Sequence, residues 1–134
     1  MSRFTVYRVE HPASGRGPFG SDCPEELRDA ISDYCERSGA FLPEAHVDCP
    51  GFEPGYHLCG VWPLSKVEEW FGPFRAQLLA AGFVLMAYEP LLSNVVRSRS
   101  HHQIGFPRYD ATPRRQLPWP EAQELEPKGL ALIA

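Results

Sequence analysis

Fourteen prolines and eleven glycines are spread through 134 residues, and this punctuation constrains the chain more than any other feature. Proline removes a backbone donor and glycine weakens the interior of an element, so the chain is restricted to short elements joined by many turns. A chain of this length buries about two-thirds of the surface that its unfolded form exposes. That suffices for one core without metal or disulfides and is too little for two. No run reaches the ~18 consecutive apolar residues of a membrane span, and residues 1–5 lead into a strand pattern without the charged-then-apolar order of an export leader. The expectation is a cytoplasmic protein with no membrane partner. The formal charge is −4 and the sequence pI is near 5.7. The bases are scattered apart from Arg97, Arg99, Arg108, Arg114 and Arg115, so nucleic acid is not an expected partner.

Between the turns, local periodicity assigns the elements. Phe4 to His11 alternates, with Phe4, Val6 and Arg8 on one face and Thr5, Tyr7 and Val9 on the other, which predicts a strand. Residues 12–21 carry three glycines and two prolines and read as a tight loop. Ser21 or Asp22 is then placed to cap a helix that runs to Gly39, with Glu25 and Glu26 at the positive end of its dipole. Leu27, Ala30, Ile31, Tyr34 and Cys35 recur along it at helical spacing. Residues 40–55 read as a long loop, and Tyr56 to Trp62 as a second strand. Ser65-Lys-Val-Glu68 has the pattern of a capping box. From there an apolar stripe through Val67, Trp70, Phe71, Phe74, Leu78 and Leu79 crosses Gly72-Pro73, predicting one kinked helix or two short ones. Further strands are expected at Phe83 to Tyr88, Asn94 to Arg97 and His102 to Phe106. The expected core is Leu27, Ile31, Tyr34, Val67, Trp70, Phe71, Phe74 and Leu78.

Several residue sets have chemical potential. His46, Cys49, His57 and Cys59 place two imidazoles and two thiols within 14 residues, enough for zinc in principle. Their spacing departs from the common fingers, and the reading is that all four cysteines, Cys23 and Cys35 with these two, are reduced thiols without metal. There is no Gly-x-Ser-x-Gly elbow and no Walker loop. Gly15-Arg-Gly17-Pro-Phe-Gly20 has dinucleotide-loop spacing, but Pro18 interrupts it and a turn requiring positive φ explains it equally. Arg8 is the anomalous strand residue, because a guanidinium beside Phe4 and Val6 needs an anionic partner. Either Glu10 or a neighbouring carboxylate pairs with it, or it lines a cleft and holds phosphate or carboxylate. Gln103, opening an apolar strand, is similarly polar.

In order, Tyr7-Arg-Val-Glu10, Gly15-Arg-Gly-Pro-Phe19, Tyr56-His-Leu-Cys-Gly-Val-Trp-Pro-Leu-Ser-Lys-Val-Glu-Glu-Trp-Phe71 and Ser100-His-His-Gln-Ile-Gly-Phe106 resemble a group of small bacteriophage and prophage proteins of unassigned function. The resemblance covers about residues 4–108. Its layout is in turn similar to the minimal ADP-ribosyltransferase fold, a split β-sandwich that binds NAD. That similarity implies a strand arginine at Arg8, a second strand running into a helix over Tyr56 to Phe71, and Gln103 where those enzymes carry a catalytic glutamate. Tyr56 and Ser65 would complete the NAD contacts with Arg8. The chain departs from the pattern twice, offering only Ser65 in place of a Ser-Thr-Ser run and an amide in place of the carboxylate. An amide stabilises developing oxocarbenium charge less than a carboxylate does.

The resulting expectation is a single α+β domain over residues 1–110. Its sheet is twisted, mostly antiparallel and ADP-ribosyltransferase-like, with two helical segments packed on it and a Pro-rich, extended or partly disordered tail over 111–134. Two functions are expected. One is a phage-type protein, acting in the cytoplasm of an infected or lysogenic bacterium, that binds and modulates a host protein, if need be through a degenerate NAD-type cleft. Small size, acidic balance and the aromatic set Trp62, Trp70, Phe71 and Trp119 suggest it. The other is an active ADP-ribosyltransferase-like enzyme using NAD, with Arg8, Tyr56, Ser65 and Gln103 as its site.

Overall fold

The computed structural model describes residues 2–38, 49–99, 102–111 and 114–119. The first strand, β1, runs Val6–Glu10, and α1 follows at Glu25–Ser38. Strand β2 spans His57–Val61 and leads into α2, Leu64–Phe71; a 3-10 turn at Gly72–Phe74 joins this to α3, Arg75–Ala80. The remaining strands are β3, Val84–Tyr88, β4, Val96–Arg97, β5, Gln103–Pro107, and β6, Arg114–Leu117. All six belong to one sheet in the order β4-β5-β2-β1-β3-β6, and every neighbouring pair is antiparallel. The chain is thus α+β. The division into two sheets that the split-sandwich resemblance implies is not seen among the described strands. No described helix is long and apolar enough to cross a membrane.

Alternation along β1 sends its side chains to two different cores. Tyr7 and Val9 join Val61, Leu85 and Ala87 beneath the helices, against Ile31, Val67, Trp70, Phe71 and Leu78. The predicted core residues therefore all lie in this cluster or packed against it, Leu27, Tyr34 and Phe74 being partly buried. The opposite face holds Val6, Tyr88, Ile104 and Phe106, with Phe4, Leu58, Trp62 and Met86 packed against them. Trp70, Phe71 and Trp119 are 2%, 5% and 6% exposed. Three of the four aromatics that suggested an interface are thus core, while Trp62 is partly buried and packs against both clusters.

Three local readings change. Ser65 does not cap α2: the helix begins at Leu64 with Pro63 as its N-cap and no side-chain cap bond. The Glu68 carboxylate accepts instead from Arg75 Nη1 at 2.6 Å, an ion pair that ties α2 to α3 across the Gly72-Pro73 break. Asp22 accepts from the Ser14 hydroxyl, and the first turn of α1 closes on the Pro24 carbonyl through the Leu27 and Arg28 amides. Finally, Arg114–Leu117 is a strand paired with β3, although Arg-Arg-Gln-Leu has no alternating pattern. Gly39, the expected stop of α1, lies outside the described residues, as do 40–48 of the long loop.

A clasp closes the second face. The Phe4 amide donates to Pro90 O and the Leu92 amide to Ser2 O, both at 2.9 Å. Asp110 accepts from the Leu91 amide at 2.7 Å and from Asn94 Nδ2 at 3.0 Å, with Arg3 Nη1 3.7 Å away. Burial works to raise the Asp110 pKa, but the bonds from Asn94 and Leu91 and the charge of Arg3 outweigh it and hold the carboxyl below its usual value.

Two outcomes follow for stability. Trp70→Ala removes a nearly buried indole from the helix-side core and is expected to cost about 3–5 kcal/mol in urea unfolding. Because Asp110 titrates lower in the folded chain, its contribution is complete above the unfolded carboxylate pKa of ~3.9 and fades as pH falls through the folded value. Asp110→Asn is therefore expected to flatten the acid limb of the stability curve measured below pH 5.

Candidate functional site

Arg8 stands on the Val6 face of β1, and its guanidinium is committed to its own chain. Nη1 donates to Cys59 O at 2.6 Å, Nη2 to Gly15 O at 2.7 Å, and Nε to Glu10 Oε1 at 3.1 Å. The Arg8 side chain is only 12% exposed. Gly15 presents its carbonyl from a backbone with φ of 76°, so the glycine loop read as a turn serves to hold Arg8. Tyr88 donates its hydroxyl to the same Glu10 oxygen. Burial, the bond to Glu10 and the Glu10 charge together push the Tyr88 pKa up to about 12, against opposing effects of Arg114 and Arg8. Of the two alternatives for Arg8, the Glu10 pairing is the one seen.

Gln103 lies across β2 from Val61, which in turn faces Tyr7. Register therefore sends Gln103 and Arg8 to opposite faces of the sheet. Gln103 is buried, and its amide oxygen accepts from the Cys59 thiol at 3.4 Å. Ser65 is exposed on the first turn of α2, near the Val61 end of β2. Tyr56 precedes the other end of that strand, about 17 Å away at ~3.4 Å per residue. The structure brings Gln103 and Ser65 to one end of the sheet, sets Tyr56 at the other, and places Arg8 behind.

Of the sulfur and imidazole set, His57 Nδ1 accepts from the Glu53 amide at 3.0 Å, the Cys59 thiol donates to Gln103, Cys49 is buried, and His46 lies outside the described residues. Burial raises the pKa of Cys23 and Cys35, which keeps both as thiols of low reactivity.

At the Tyr56 end the sheet presents an aromatic surface. Phe52 stacks on His57 with centroids 5.4 Å apart, Tyr56 meets His57 edge-on at 4.8 Å, and Tyr109 meets Tyr56 at 6.0 Å. Tyr56 is 45% and Tyr109 69% exposed, so the two touching rings form one exposed aromatic patch. The backbone beneath is fixed. The Tyr56 amide donates to Glu53 O at 2.9 Å and the Arg108 amide to Tyr56 O at 3.0 Å. Arg108 Nη2 reaches Pro54 O at 3.4 Å, and Asp110, next to Tyr109, is held in the clasp. The hydrogen bond to Tyr109, with smaller effects of desolvation and Glu53, raises the Tyr56 pKa. Sequence reasoning named Tyr56 but missed Tyr109, Arg108 and Phe52. Only the pairing of His57 with Pro107 unites them, and no local pattern announces it.

A family model described as the bacteriophage T4 Y00F protein matches residues 1–120, and the chain belongs to that family. It is a phage-type protein. No curated protein and no solved structure matches the chain.

The Arg8 geometry generates two expected outcomes. Arg8→Ala strands the buried Glu10 charge and should cost about 3–5 kcal/mol in denaturant unfolding. Since the Tyr88 pKa is raised on folding, its contribution is complete below the unfolded tyrosine pKa of ~10 and is lost as pH climbs through about 12. Alkaline unfolding curves of wild type and Tyr88→Phe should therefore converge over that interval; curves that stay parallel would separate Tyr88 from the effect.

Proposed function

We propose that this member of the phage family binds a host protein, and modulates it, through the face formed by Tyr56, Tyr109 and Arg108. The observation that carries the reading is a pair of tyrosines in edge contact, their ring centroids 6.0 Å apart and both more than two-fifths exposed, mounted on a backbone with little freedom. Tyrosine and arginine dominate the energetically important positions of protein interfaces. A ring already held in place loses little entropy when a partner covers it. The neighbouring His57 and Phe52 give the tyrosines an apolar base, while their hydroxyls and the Arg108 guanidinium supply directional contacts at the edge. The acidic balance of the chain fits a partner surface of neutral or positive character.

A photoreactive phenylalanine analogue at position 109 tests this in the bacterial host, with the same analogue at the exposed Phe19 as control. One dominant host adduct is expected from position 109 and none from position 19. Tyr56→Ala with Arg108→Ala should reduce the adduct at least ~10-fold, which corresponds to about 1.4 kcal/mol of lost binding, while leaving the circular dichroism spectrum unchanged. Identical adducts from both positions, or an adduct indifferent to the two substitutions, would overturn the reading.

A further inference from the structure

A second surface lies in the helical layer. Between α1 and α3 runs a groove of about 520 Å³ whose floor and walls include Pro24, Leu27, Ala30, Phe74, Ala80 and Ala81. Its volume is that of a ligand pocket, yet Pro24, Ala30 and Ala80 are exposed. A pocket for a small molecule must surround most of its ligand, and an open trough does not. What fits a trough is an elongated partner with a single apolar side. The small side chains of Ala30, Ala80 and Ala81 allow another backbone to come close.

Charge decides which kind of partner. The exposed residues of α1 include Glu25, Glu26, Asp29, Asp33 and Glu36, with Glu26 on the groove itself. The two bases of this helix offset only part of this charge, leaving the acids in excess. Arg28 has its Nε buried, and Arg37 is bonded to Asp33 at 2.9 Å. On the α3 side, Arg75 is 4% exposed and paired with Glu68, leaving Gln77 on the rim. The trough is therefore apolar at its base and negative along one wall.

From these two features we infer that the α1–α3 groove docks a basic amphipathic helix of a partner protein, its apolar stripe against Leu27, Ala30 and Phe74 and its Lys or Arg residues along Glu26 and Asp29. Helix-in-groove recognition requires this combination of anchors at helical spacing and complementary flanks. The inference is independent of the tyrosine face, which uses other elements, and either can fail without the other.

Two 18-residue probe peptides test it on the full chain. Both carry the same leucine and alanine face; one has lysine and the other glutamate on its polar face. The lysine peptide should bind in the micromolar range and at least ~10-fold more tightly than the glutamate peptide, and should lose affinity as salt shortens the Debye length below ~10 Å. Amide shifts on binding should centre on Leu27, Ala30, Gln77 and Ala80. Ala30→Trp, which fills the trough from an exposed position, should weaken the lysine peptide at least ~10-fold. Glu26→Lys with Asp29→Lys should reverse the preference in favour of the glutamate peptide. Equal binding of both peptides, indifference to Ala30→Trp, or shifts centred elsewhere would overturn the inference.

Discussion

The sheet depends on a seam between its first two strands. Strands β4, β5 and β2 form one half and β1, β3 and β6 the other. Five registered pairs join β1 to β3 and five join β2 to β5. The halves themselves share one, Tyr7 with Val61. Two features compensate. Gly60 lets the strands approach so closely that a Cβ there would lie 2.7 Å from Tyr7 O and nearer still to Val6. Arg8 reaches over the seam to the Cys59 carbonyl. A guanidinium removed from water needs its charge balanced and its donors used, and Glu10 and the Gly15 carbonyl meet those needs. The arginine that looked like a ligand-binding residue is thus a stitch between two halves of the sheet.

That use of Arg8 shifts attention from clefts to surfaces. The polar residues of the inner strands are spent on internal bonds: Arg8 with Glu10, Tyr88 with Glu10, Cys59 with Gln103. Trp70 and Trp119 fill the helix-side core. Among the described residues, an exposed tyrosine pair stands at one sheet end, and a shallow trough with an acidic wall lies between the helices.

The sequence made much of the architecture readable, because amphipathic alternation is a local property. Val6 and Tyr7 point to different cores as their alternation requires, and the break at Gly72-Pro73 falls where the ring of Pro73 interrupts a helical stripe. Features settled by distant partners were not readable. Ser65 and Glu68 have capping-box spacing, yet Glu68 is claimed by Arg75, seven residues on. Arg114–Leu117 becomes a strand because β3 offers it an unpaired edge, not through its own composition. Tyr56 and Tyr109, 53 positions apart in sequence, become neighbours only through the register of β2 with β5. The site was legible one residue at a time and illegible as a group.

The edges of the sheet bear on how the protein behaves in bulk. An open strand is a template for another copy, and long flat edges invite stacking into fibres. Here one edge, Val96–Arg97, is two residues long, too short to seed a ladder. Among the described residues the other edge carries Arg114 and Arg115 at successive positions of an exposed strand, one on each face of the sheet. Two such edges brought together would press guanidinium groups against each other. The same arginines that obscure this strand from periodicity therefore work against sheet-to-sheet polymerisation.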